Sequence, residues 1–230
     1  MHLFYQANIL EDTHLTDDEH HHCIKVLRHS VNDEIHVTNG KGTICKAIIT
    51  SIEKRKTKLS IADTVHHPQK DFRLNVLIAP TKQMERMEWF VEKTCEMGVD
   101  EITFLKTKNI ERPHLKLDRL EKKAVSALKQ SKGAWKTKIN PLTPFSDIVE
   151  TKGDIKLIAA VNENSTYLMD SIKPNRSVSI LIGPEGDFTM DEIKLATKAG
   201  FQPISLGHKV LRTETAGVFV AAAANLINGY

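Results

Sequence analysis

Hydrophobic residues recur along this chain with two different periods, and the change between them divides it. From Asp33 to Val65 they alternate in twos, in "DEIHVTNG", "GTICKAIITSIEK" and "TKLSIADTV", which are rich in Val, Ile and Thr. That alternation turns one face of a strand to a core and the other to solvent. Asn39-Gly40 and the cluster "EKRKTK" punctuate the runs as hairpin turns. Ahead of them, "TDDEHHHCIKVLR" has helical spacing, with Thr16 and Glu19 placed as a capping box. Residues 1–70 therefore read as a small β-rich module, of barrel type, ending in the polar, proline-containing "HHPQKD".

Beyond residue 71 strands and helices take turns. "RLNVLIA", "EITFLKT", "IKLIAAV", "VSILIG" and "PISL" are apolar runs of strand length, and "KQMERMEWFVEKTCEMG", "LDRLEKKAVSALKQS" and "TMDEIKLATKAG" are helical between them. Thr189 and Glu192 form a second capping-box pair, and Gly98 and Gly200 stand as helix stops. A nearly all-apolar helix from about Thr213 closes the chain, and such a helix is buried in its own chain or in a subunit interface. Continuous apolar strands alternating with helices predict a mainly parallel sheet covered on both faces, so the fold class is α/β.

Composition narrows the function. Three cysteines, Cys23, Cys45 and Cys95, lie far apart without a paired spacing, which favours a reducing, cytoplasmic setting over a disulfide framework or a zinc site. The start "MHLFYQANILEDTH" lacks the pattern of a secretory signal, and "AGVFVAAAANLI" falls short of the roughly 18 apolar residues of a membrane span. The net charge of +3 is small but uneven: residues 71–140 carry 15 basic and 10 acidic side chains. His20, His21 and His22 are consecutive on a helix and point about 100° apart, so they do not converge on a metal. Lys25, Arg28 and His29 form a basic strip suited to RNA phosphates or simply to solvent.

The chemistry concentrates in two glycine turns that follow successive strands, "LIGPEGDF" (181–188) and "SLGHKVLRTETA" (205–216). In open α/β sheets, ligands bind at that edge of the strands. No phosphate-loop or dinucleotide spacing is present, and Glu185 and Asp187 place acids where a phosphate would sit, which favours a neutral or cationic ligand. A positive φ at Gly183, Gly186 and Gly207 is the plain alternative for these glycines. Arg212 opposes the dipole of the helix it precedes and so needs an acidic partner or a substrate.

"LIGPEGDFTMDEI" followed by "SLGHKVLRTETA" resembles the paired C-terminal motifs of the 16S ribosomal RNA uracil-N3 methyltransferases, the RsmE family of the SPOUT class. The likeness extends to "HxxxVLR" (His22 to Arg28), "EKTCEMGVDEI" and "KQS", and is nearly full length. It implies a PUA-like RNA-binding β-barrel in residues 1–70. It also implies a SPOUT α/β domain with a deep C-terminal trefoil knot in residues 71–230, S-adenosylmethionine (SAM) as cofactor, a homodimer, and 16S rRNA in the small ribosomal subunit as partner, with no membrane or metal. By the same resemblance Asn162, Gly183, Glu185, Gly186, Leu206, Gly207, Val210, Leu211, Thr215 and Ala216 line the cofactor site. Arg212 and Glu214 carry the chemistry, Glu214 by orienting Arg212 or by accepting a proton, and Lys25, Arg28, Lys129 and Lys132 contact RNA. The sequence departs from the family pattern at Asp187, where many members have glycine, at Lys132-Gly133, where an arginine is common, and at Lys209. The alternatives are a SPOUT enzyme acting on a ribose 2′-hydroxyl and a non-catalytic RNA-binding assembly factor.

Overall fold

The structure is a computed structural model that describes residues 2–110, 114–160 and 165–229. The chain divides into two compact units, one of residues 1–69 with 125–136 and the other of residues 70–124 with 137–230.

The first unit holds β1 (Leu3–Tyr5), β2 (His14–Thr16), the short helix α1 (Asp17–His21), β3 (Glu34–Thr38), β4 (Thr43–Ile52) and β5 (Lys56–His66). The five strands pair in the order β1-β3-β4-β5-β2, and two register shifts along β4–β5 interrupt that ladder. Such bulges bend and twist a sheet, which lets this one curl around its apolar face. Inward-facing Ile35, Val37, Cys45, Ala47 and Ile49 meet Phe4, Ile9, Leu15 and Cys23 in one core. Each buried aliphatic side chain contributes about 1.5–3 kcal/mol. Burial pushes the Cys23 thiol up to about 11, helped by Asp33 and Glu19, and raises that of Cys45, so both behave as apolar packing groups.

The helix expected over 16–28 is shorter and differently wound. After α1 the chain widens into a π-type turn, His22–Val26, and Thr16 makes no side-chain cap. Asp17 enters the helix at a φ of +47°, and Glu19 is engaged elsewhere: it accepts the Tyr5 backbone N–H at 3.1 Å and pairs with Lys129. The Thr16–Glu19 capping box is therefore not formed, because tertiary partners claim its carboxylate. β1 and β2 escaped sequence detection because three residues are too few to display a period.

The second unit is a seven-stranded, wholly parallel sheet. Its elements are β6 (Leu74–Ile78), α2 (Met84–Glu96), β7 (Glu101–Lys106), α3 (Leu117–Gln130, which runs on into the first unit), β8 (Lys138–Pro144), β9 (Ile155–Ala159), β10 (Thr166–Tyr167), α4 (Leu168–Ser171), β11 (Val178–Ile182), α5 (Met190–Lys198), β12 (Gln202–Ser205) and α6 (Thr213–Asn228). The strand order is β10-β12-β9-β11-β6-β7-β8. Every residue of central β11 is buried, including Ser179, whose hydroxyl donates to the Lys152 carbonyl at 2.7 Å. β8, "KINPLTP", carries prolines that hide it in the sequence, and it is tolerated because it lies at the sheet edge. The Thr189–Glu192 capping box is formed, with the hydroxyl accepting from the Glu192 N–H and the carboxylate accepting from the Thr189 N–H at 2.8 Å.

One face of the sheet packs Leu77, Leu105, Ile158 and Leu181 against Phe188, Ala196 and Phe201. On the other, α6 comes so close to α2 that a Cβ on Gly217 would lie 2.3 Å from Cε2 of the fully buried Phe90 and 3.3 Å from Cδ1 of Ile78. Glycine here serves proximity, since its φ is ordinary for a helix. Gly217→Ala therefore exchanges a propensity gain of about 1 kcal/mol for an overpacking cost of about 1–3 kcal/mol, and Gly217→Val lacks most of that gain. We expect Gly217→Val to lower the thermal midpoint by several degrees and Phe90→Leu to restore part of the loss; an unchanged midpoint would contradict the contact. A second expectation concerns His22, whose pKa is lowered from the ordinary ~6.5 by burial and, next, by Lys129. The unfolded chain then takes up that proton at higher pH, so the stability His22 contributes is complete above pH ~6.5 and is lost as pH falls through its folded value. Urea midpoints on acidification from about pH 7.5 to 5.5 should fall less for His22→Gln than for wild type, and equal falls would contradict this.

Candidate functional site

Strands β11 and β12 flank β9 and run parallel to it, so the turns that follow them open at the same carboxyl edge of the sheet. A cleft of about 940 Å³ lies there. Its walls are the Gly183–Asp187 turn, the Leu206–Arg212 loop and the start of α6. The two turns are tied directly: the Thr213 hydroxyl donates to the Gly183 carbonyl at 2.9 Å.

The first turn is held by groups the sequence reading did not single out. The Asn109 amide donates to the carbonyls of Gly186 at 3.0 Å and Asp187 at 3.1 Å. Gly183 and Gly186 do not have positive φ; Asp187 takes the left-handed position, at +59°. Aspartate tolerates that region, and its Oδ1 accepts the Phe188 N–H at 2.7 Å. Gly183 is small because a Cβ would press on the Phe188 ring at 3.2 Å, whereas at Gly186 a Cβ would meet Asn109 at 3.4 Å, an ordinary contact. Gly207 is the opposite case, with a φ of +130° and nothing within 4 Å of a Cβ, so conformation decides there.

Of the residues assigned to a cofactor from the motifs, Gly183, Glu185, Leu206, Gly207, Val210, Leu211 and Ala216 line the cleft. Gly186 and the exposed Thr215 stand outside its wall, and Asn162 lies outside the described residues. Val210 is fully exposed on its loop. Arg212 is the N-cap residue of α6, exposed at the cleft, and makes no ion pair among the described residues. Glu214, two residues on and about half a turn around the helix, is only 6% exposed. The expected orientation of Arg212 by Glu214 is absent from the structure: the helix turns residue 214 inward, where its cation is Arg86, with Nε 3.7 Å from Oε1. Thr213 and Thr215 do not cap α6.

Arg86, on α2, also donates from Nη1 to Glu185 at 2.6 Å. Glu185 therefore already has a cation within the protein. Arg86 was legible only through its position, in the first helical turn after a strand of the same sheet edge. Asn109 had no signal beyond following another such strand.

Of the four lysine and arginine positions assigned to RNA, Lys25, Arg28 and Lys132 are exposed, and Lys129 is paired with Glu19. All four fall in the first unit, since residues 125–136 belong to it rather than to the second half of the chain.

Residues 68–225 match the RNA methyltransferase domain family and residues 15–62 the RNA methyltransferase PUA domain family. Among curated proteins the chain is similar to ribosomal RNA small subunit methyltransferase E of Rickettsia conorii, with 28% identity over 94% of this chain and 90% of that one. The protein of that name from Mesomycoplasma hyopneumoniae is 33% identical over 67% and 69%. Among solved structures it is similar to one described as a probable rRNA-methyltransferase from Porphyromonas gingivalis, at a TM-score of 0.94 and 37% identity, covering 100% of this chain and 99% of that one. It is also similar to ribosomal RNA small subunit methyltransferase E of Neisseria gonorrhoeae bound to S-adenosyl methionine, at 0.87 and 26%, covering 99% and 98%. With both units matched and both motif turns at one cleft, the chain belongs to the RsmE family of RNA methyltransferases.

Proposed function

We propose that this protein is an SAM-dependent methyltransferase that modifies N3 of a uridine in the decoding region of 16S rRNA, acting in the cytoplasm on the small ribosomal subunit as a homodimer. The observation that carries the reading is the convergence of the Gly183–Asp187 turn and the Leu206–Arg212 loop on one cleft of about 940 Å³. That volume lies in the usual range for small-molecule sites. The cleft also fits the ligand chemically: two turns line it, and Glu185 and Asp187 place acidic residues in its wall. The gonococcal relative's bound SAM supports the same assignment.

Gly183, Glu185, Leu206, Gly207, Val210, Leu211 and Ala216 would hold the cofactor, with Gly186, Thr215 and Asn162 flanking them. SAM, when bound, supplies a methyl group on a sulfonium. Uracil N3 keeps its proton at neutral pH, so the protein must remove it and spread the resulting charge over O2 and O4. Exposed Arg212, free of protein carboxylates among the described residues, suits stabilisation of that anion, and Glu214 suits acceptance of the proton. N3 lies on the Watson–Crick edge, so the target must be unpaired or flipped, which favours an assembled subunit over duplex RNA.

Lys25, Arg28 and Lys132 are placed to meet phosphates, with Lys129 held by Glu19 beneath them in role: it orders α1 rather than offering a free charge. A PUA-like barrel formed by residues 1–70 is part of this reading. The homodimer is supported by the outward stripe of α6, where Val218, Phe219, Ala222 and Leu226 remain partly or wholly exposed at helical spacing. The trefoil knot belongs to the same reading.

Incubation of the purified protein and SAM with small subunits from cells lacking this activity, followed by nucleoside mass spectrometry, should yield 3-methyluridine. A 2′-O-methyl product would keep the cofactor and replace the target, and SAM binding without product would favour an assembly role. Arg212→Ala should lower kcat by about 10²-fold with SAM affinity little changed; normal turnover would remove Arg212 from the mechanism.

A further inference from the structure

Three segments of the first unit meet at the turn between β3 and β4. The Gly42 N–H donates to the Ala134 carbonyl at 2.8 Å, the Lys136 N–H to the Gly40 carbonyl at 2.9 Å, and the His67 N–H to the Gly42 carbonyl at 2.7 Å. Trp135, one of two tryptophans in the chain, lies on the surface of this junction. Its Nε1–H donates to the carbonyls of His67 at 3.0 Å and Pro68 at 3.2 Å. Its ring takes the place of a side chain on Gly42, where a Cβ would fall on Cζ2 and lie 2.7 Å from Cε2. The indole is thus held by one edge and by its contact with the Gly42 backbone, yet the residue stays 41% exposed. With the N–H engaged, what meets solvent is apolar ring.

Fastening the chain here does not call for an indole. Ala134 is buried with Leu3 and Ile44, and backbone hydrogen bonds hold the residues on either side of Trp135. The surroundings point to a use instead. Residues 39–43, 66–68 and 131–136 contribute Lys41, Lys132, Lys136, His66 and His67 and no acidic residue. Lys41 faces Trp135 across an antiparallel bridge, and Lys41 and Lys132 are exposed. Trp135 is the one large apolar side chain exposed in these segments, too small a patch for the core of a protein interface but the size of a single base. A preorganised aromatic ring among cations is the arrangement that binds unpaired nucleic acid, through stacking on the ring and phosphates on the lysines. We propose that Trp135 is a stacking platform for one unpaired nucleobase of the RNA substrate, with the phosphates beside that base met by Lys41 and Lys132. This inference rests on the proposed methyltransferase reading and adds to it an RNA contact remote in sequence from both cleft motifs.

The test has two arms. The first measures methyl transfer to small subunits by wild type, Trp135→Leu, Trp135→Phe and Lys41→Gln, with calorimetric SAM titration and thermal midpoints. Trp135→Leu should raise KM for the subunit about tenfold with kcat and SAM affinity unchanged. Trp135→Phe, which keeps an aromatic face and loses the N–H bonds, should stay within about threefold of wild type. The slope of log KM against log salt should be unchanged in Trp135→Leu and shallower by about one unit in Lys41→Gln, which separates stacking from charge. In the second arm Trp89→Phe leaves Trp135 as the sole tryptophan. Its emission should be quenched by oligouridine of about 12 nucleotides at low salt, and much less by an abasic ribose-phosphate chain of equal length. Unchanged KM in Trp135→Leu would overturn the inference, as would equal rises in both Trp135 variants that follow their midpoints. Oligouridine that fails to bind, or binds without quenching, would also overturn it; a KM effect without quenching would put a protein of the subunit, rather than a base, on the indole. Where Trp135→Leu does not fold, the second arm decides. A wild type that transfers no methyl group would overturn the functional reading, an outcome distinct from a silent Trp135→Leu beside a working wild type.

Discussion

The close approach of α6 to α2 at Gly217 is the constraint on which the cleft depends. The ring of Phe90 occupies the place of a Cβ, so the two helices touch backbone to side chain with no intervening layer. Their first turns are consequently near enough for Arg86 to face Glu214, and the Thr213 hydroxyl can reach the Gly183 carbonyl. Two turns that follow different strands become one wall. A ligand then meets a surface whose ordering cost has already been met in folding, which is what preorganisation means for affinity.

The electrostatics of that wall are more balanced than the sequence suggests. Glu185 shares Arg86 with Glu214, Asp187 uses its own carboxylate on the Phe188 N–H, and Arg212 stays outside, exposed and unpaired among the described residues. The turn's acids are therefore mostly structural. At the helix start, Arg212 is exposed at the cleft and unpaired among the described residues. Arg212 and Glu214 belong to a single tetrapeptide, "RTET", two residues and so about 200° apart on a helix, a spacing that sends one outward and the other inward.

Much of this was legible in the residues, for stated reasons. β11 and the helices α2, α5 and α6 follow from unbroken apolar runs, helical spacing and the glycine stops, because burial on both sides leaves no freedom in composition. The Thr189–Glu192 box formed as its spacing suggests, whereas the identical spacing at Thr16–Glu19 did not, since Tyr5 and Lys129 compete for Glu19. Local pattern cannot see a partner 110 residues away. The same blindness hid Arg86 and Asn109, whose roles arise only when the sheet edge brings three loops together. It also led the positive φ to be assigned to the glycines of the first turn when Asp187 carries it.

The central claim is that the two motif turns form one ligand site. Hydrogen–deuterium exchange of the full chain with and without SAM tests it most directly. The account predicts slowed exchange confined to residues 183–188 and 205–216, with the strands of the first unit unchanged. Binding of SAM with protection elsewhere, or at only one of the two turns, would contradict it.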